Sequence, residues 1–154
     1  MLDGLESVRW DLEAQPPSNA KDEVANALRA LSVASPDTSD EAYSRMLYAL
    51  GNNHAGTYYP VALAAVPFLG AILRDGGPTA RLRTLDVLID LVGSFEPEPD
   101  FEVVATSAGR RSLRELLKDK VLELAAQIEH RRLDATSPKE AKLAQDLLTL
   151  LHEQ

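Results

Sequence analysis

Gly76, Gly77 and Pro78 interrupt the most apolar part of the chain, in the order that a turn between two helices requires. Glycine is common just past a helix C-terminus, and proline is pre-set for the first position of the next helix. Before this punctuation lie residues 57–75, TYYPVALAAVPFLGAILRD; after it lie residues 78–92, PTARLRTLDVLIDLV. Both segments are too long and too continuously apolar for ordinary strands, so they read as helices over 60–74 and 78–92, with Pro67 inside the first. In the second, Leu82, Leu85, Val87, Leu88, Ile89, Leu91 and Val92 spread over more than half of the helix circumference. A surface helix needs only one apolar stripe, so residues 57–93 are expected to form a hairpin in the middle of a helical stack. Only Arg83, Asp86 and Asp90 are then left to face solvent or a partner.

The flanking sequence repeats this grammar. Leu2, Leu5, Val8 and Leu12 lie near helical spacing and predict a short capping helix over 2–13. Pro16 and Pro17 end it, and a second helix is expected over 20–34. Thr38 and Glu41 form a capping-box pattern ahead of a third helix, which stops at Gly51. Residues 94–109, rich in proline and acid, make the longest irregular connection; 101–105 could be extended, without support for a sheet. A long helix over 110–132 is expected next, with Leu113, Leu116, Leu117, Val121, Leu124 and Ile128 in register. Ser137, Pro138 and Glu140 then combine a capping box with proline at the first helical position. The result is a single domain over 1–154: seven helices, as a leading helix plus three hairpins.

Composition supports that class. Hydrophobic residues make up 45% of the chain and aromatic residues only 5%, so Leu, Ala and Val must supply the core. These residues favour helices over a sandwich or barrel. The chain has no cysteine, which excludes disulfides and thiolate metal sites. Residues 61–73, the longest apolar run, fall well short of the ~20 residues that span a bilayer. No basic, apolar signal opens the chain, so a cytoplasmic location is expected without membrane attachment. The net charge of −8 disfavours a nucleic-acid backbone as partner and suits a basic protein.

The central hairpin resembles a HEAT repeat. The resemblance rests on Pro67-Phe68-Leu69, Ile72-Leu73, Asp75, Ala80-Arg81, Leu85, Val87-Leu88 and Leu91. The run from His54 to Tyr59, feeding into residues 65–69, is also similar to small bacterial HEAT-like proteins, some of which are thought to accompany toxin systems. The resemblance implies an all-α, right-handed HEAT-like α-α superhelix that presents a surface to a protein. It implies no cofactor. The repeat logic is that each hairpin buries its apolar face only by stacking on its neighbours.

Two groups of residues are candidates for partner binding. Acid is densest in residues 78–106, where Glu96, Glu98, Asp100 and Glu102 follow the Arg83, Asp86 and Asp90 stripe. Together they could steer and dock a basic surface. His54, Tyr58 and Tyr59 form the second group, which reads as a turn with aromatic anchors or as a partner contact. Asp86 and Asp90 share one helix face, yet no histidine on that helix joins them as a metal ligand, and none is expected. Arg110, Arg111, Arg114, Lys118 and Lys120 alternate with Glu115, Asp119 and Glu123, as in a solvated helix laced with ion pairs. Nucleophile-elbow, P-loop, dinucleotide-binding and HExxH signatures do not occur. The expected function is a non-catalytic protein-binding module, in its most specific form an immunity-type inhibitor of a basic toxin. The alternatives are a regulatory or assembly scaffold for a cytoplasmic protein, then a HEAT-like enzyme acting on nucleic acid.

Overall fold

A computed structural model of the chain describes residues 1–153. Its seven helices are α1 (Glu23–Ser32), α2 (Ser39–Leu50), α3 (Val61–Asp75), α4 (Pro78–Val92), α5 (Leu113–Leu122), α6 (Ala125–Leu133) and α7 (Pro138–His152). α1 packs on α2, α3 on α4, and α6 on α7, while α3 also meets α1, α5 and α6, and α4 meets α2 and α7. The hairpin α3–α4 is therefore the centre on which the others pack. Val61, Leu69, Ile72 and Leu73 of α3 are fully buried, as are Leu85, Val87 and Leu88 of α4. Pro67 lies within α3 on its exposed side.

The chain is mostly helical but not all-α. Five short strands form two small sheets: β1 (Gly51–Asn52), β2 (Thr57–Tyr58) and β3 (Glu96–Pro97) in one, β4 (Val103–Thr106) and β5 (Gly109–Ser112) in the other. β1 and β2 are antiparallel, β2 and β3 parallel, and β4 and β5 an antiparallel hairpin. The parallel pairing explains how a Glu-Pro-Glu-Pro sequence can join a sheet. The Glu96 amide donates to the Gly56 carbonyl at 2.9 Å and the Glu98 amide to that of Tyr58 at 2.8 Å. Pro97 stands between these two donors, where a strand needs no N–H, and prolines are tolerated on such an edge.

Three helix expectations are corrected. Residues 2–13 form two 3-10 turns, Leu5–Ser7 and Trp10–Leu12, because Gly4 at φ 85° turns the chain and Trp10 takes the core position. Its indole Nε1 donates to the Leu5 carbonyl at 3.0 Å and its ring tilts against Phe68, whereas Leu12 is 73% exposed. Thr38 does not close a capping box; its hydroxyl accepts from the Ser35 amide at 3.0 Å. The helix expected over 110–132 begins instead as β5 and is broken between α5 and α6. There Leu124 sits against Gly70 of α3, in the space that a side chain at Gly70 would fill.

A buried ion pair fastens α4 to α7. The Arg81 Nε donates to Glu140 Oε2 at 2.7 Å, and its Nη1 donates to the Gly76 carbonyl at 2.9 Å. Glu140 is fully buried; its other oxygen accepts from the Thr136 amide at 2.8 Å, and Arg131 Nη1 lies 3.9 Å from Oε2. The expected helix start is present as well: the Ser137 hydroxyl accepts from the Glu140 amide at 3.2 Å. Sequence marks Glu140 as a cap residue, and the fold uses it also as the counter-ion of two buried arginines.

Candidate functional site

A groove of about 650 Å³ runs beside the 96–102 segment. It is lined by Pro16–Ala20, by Glu23 of α1, by Arg45, Tyr48 and Ala49 in the C-terminal half of α2, and by Gly51, Asn52, Tyr59 and Glu98. The lining segments are tied to one another and to their neighbours. Asn19 Nδ2 donates to the Ala49 carbonyl at 2.8 Å, which ties the Pro16–Ala20 stretch to the end of α2. The Tyr59 amide donates to the Leu50 carbonyl at 2.8 Å, and the Tyr59 ring leans on Phe101 with centroids 5.2 Å apart. Gly51 is needed where α2 passes into β1, since a Cβ there would strike the Thr57 carbonyl and the Tyr58 backbone.

Glu98 is positioned by a tight turn. The Phe101 amide donates to the Glu98 carbonyl at 3.0 Å, with Pro99 and Asp100 between them. Asp100, at φ 77°, is the non-glycine residue at positive φ among the described residues. Proline second and a left-handed residue third are the marks of a type II turn, in which Asp is tolerated less well than Gly. One Glu98 oxygen accepts from the Thr57 hydroxyl, and among the described residues no cation pairs with this carboxylate. The other groove acid, Glu23, is paired with Arg45 at 2.6 Å.

The remaining candidate residues separate into distinct places. Glu96 pairs with Arg114, and Asp100 and Glu102 are exposed on the turn and its continuation. His54 is exposed on the β1–β2 loop. Tyr58, grouped with His54 and Tyr59 as a partner contact, is 1% exposed and is an internal anchor, which corrects that expectation. Burial pushes its phenol up to about 12. Of the basic residues, Arg111 pairs with Asp119 at 3.1 Å and Lys120 with Glu123 at 3.8 Å, which is the ion-pair lacing expected there.

The Arg83, Asp86 and Asp90 stripe of α4 is turned inward to α2. Tyr43 of α2 donates its hydroxyl to Asp90, the Arg83 guanidinium lies 4.7 Å above the Tyr43 ring, and Arg83 also pairs with Asp86 at 3.1 Å and with Asp40. Burial, with the neighbouring Asp86 charge, raises the Asp90 carboxyl above its ordinary value against the opposing Tyr43 hydrogen bond. A raised carboxyl means that its charge lowers folded stability above the folded pKa, and that this loss is relieved as pH falls. Asp90→Asn keeps an acceptor for Tyr43 and removes the charge. The thermal midpoint at pH 7 is therefore expected to rise, and the gain to vanish in acid, as followed by circular dichroism melts across pH.

Among the described residues no helix is long and apolar enough to cross a membrane, and no group of three or more His, Asp or Glu is placed to hold a metal ion. Comparison with family models, with curated proteins and with solved structures returns no match.

Proposed function

We propose that this chain is a non-catalytic protein-binding module, built as a HEAT-like superhelix, that docks a basic protein; its most specific form is an immunity-type inhibitor covering a basic toxin. What supports the reading is the way the acidic 96–102 segment is held. Glu96, Glu98, Asp100 and Glu102 do not trail along a loose loop. The β2–β3 ladder, the Pro99–Asp100 turn and the Tyr59–Phe101 contact hold the segment in place, with Glu98 in the lining of a groove large enough for several residues of a partner. Acid fixed in place meets a basic surface without first being ordered, so affinity is not reduced by that entropy loss. Steering by net charge adds to the association rate.

The test uses the product of the neighbouring gene as the candidate partner. Stopped-flow binding is expected to give an association rate that falls as salt rises from about 50 to 300 mM, because the Debye length contracts across that range. Absence of binding, or a rate indifferent to salt, overturns the inhibitor reading.

A further inference from the structure

The groove beside α2 shows one carboxylate without a counter-ion, and that asymmetry names a ligand chemistry. Glu23 is neutralised by Arg45, whereas Glu98 is held only by the Thr57 hydroxyl. Glu98 is half-buried, so its charge is not simply solvated. Two tyrosines line the same groove: Tyr48, which is 49% exposed with no partner stacked on it among the described residues, and Tyr59, braced from behind by Phe101. The C-terminal end of α2 lies here too, and although its Ala49 and Leu50 carbonyls already accept from Asn19 and Tyr59, the helix dipole adds partial negative charge. A carboxylate, aromatic faces and a helix C-terminus all favour a cation. A planar guanidinium satisfies them together, since it stacks on rings and meets a carboxylate with paired hydrogen bonds, which an ammonium cannot do.

Building on the binding-module reading, we propose that the groove receives an arginine side chain from an extended segment of the basic partner, with the guanidinium on Glu98 and its plane against Tyr48 or Tyr59. Arg45 stays on Glu23 and keeps that carboxylate from competing. The groove volume exceeds one side chain, so the neighbouring residues of the segment occupy the rest, along the Pro16–Ala20 side.

The experiment titrates the intact protein with N-acetyl-arginine methylamide, followed by NMR of the Asn19 side-chain amide and the Tyr48 and Tyr59 rings. The lysine analogue and the uncharged, nearly isosteric citrulline analogue are run in parallel. Saturable shifts with a dissociation constant in the approximately millimolar range are expected for the arginine probe. Lysine should bind more weakly, and citrulline should not saturate. Glu98→Gln should weaken the arginine probe by about tenfold or more, the worth of a charge-assisted hydrogen bond. Tyr48→Ala, at an exposed position whose loss leaves the core untouched, should weaken it too, while Glu115→Gln, exposed on α5 and outside the groove lining, should not. Equal binding of citrulline or lysine, or indifference to both Glu98→Gln and Tyr48→Ala, overturns the assignment. If the probe fails while the protein partner still binds, the groove assignment falls and the binding-module reading stands; if the probe binds and no basic protein does, the reverse holds.

Discussion

Glu140→Ala is expected to lower folding stability by about 3–5 kcal/mol, because it leaves Arg81 buried without its carboxylate and Arg131 with Asp134 alone, at 3.5 Å. Arg81 is 8% exposed and Arg131 6%, so water cannot replace the lost partner. At roughly 2–4 °C per kcal/mol for a chain of this size, the thermal midpoint should fall by about 6–20 °C. Circular dichroism with urea and heat reads both values. A loss under about 1 kcal/mol would mean that the pair is not the fastening between α4 and α7. The double change Arg81→Met with Glu140→Leu should cost less than Glu140→Ala, since the Arg81 guanidinium goes with the carboxylate and only Arg131, which keeps Asp134 at 3.5 Å, loses a partner.

The pH dependence of the same pair has a definite sign. Burial alone would raise the Glu140 carboxyl, but the hydrogen bonds from Arg81 and the Thr136 amide, with the charges of Arg81 and Arg131, hold it below its ordinary 4.5. A depressed carboxyl contributes stability above its unfolded value and loses it as pH falls through the folded one. Acid should therefore weaken the wild type below about pH 4.5, and Glu140→Gln should flatten that part of the profile.

Leu88→Ala carries the second large effect. Leu88 is fully buried on α4, the helix that meets both α2 and α7, so no free side exists toward which the core can collapse. A loss of about 3–4 kcal/mol is expected, within the 2–5 kcal/mol typical of such truncations. Leu148→Ala, on the half-buried part of the outer helix α7, should cost less than half as much by urea denaturation. Equal losses at the two positions would remove α4 from the centre of the stack.

How much of this was legible in sequence follows from which interactions are local. The α3–α4 hairpin, the stop at Gly51 and the Ser137 cap were readable, because Gly, Pro and Ser act on residues within a turn of themselves. The break between α5 and α6 was not: no proline or glycine marks it, and its cause is Leu124 seating on Gly70, a residue of another helix. The two-residue strands escaped for the same reason, since their ladder joins segments that sequence shows only as loops. Trp10 lay off the Leu2, Leu5, Val8 and Leu12 stripe that pattern reading followed, and a single large ring outweighed that stripe. Of the groove lining, Glu98 and Tyr59 are among the residues that sequence singles out. Tyr48, Asn19 and Arg45 join that lining from a helix face and a proline stretch whose meeting only the fold determines.

The parallel ladder of β2 and β3 also imposes an order in time. Thr57 and Glu98 are 41 residues apart, with both helices of the central hairpin inside the loop that their pairing closes. Contacts within α3–α4 are near in sequence and close quickly, while pairing across a long loop must first overcome its closure entropy. A chain emerging from the ribosome can therefore assemble the middle of its core before the wall carrying Glu98 is complete. On the binding-module reading, the docking groove is absent from a growing chain until residue 98 has joined the ladder.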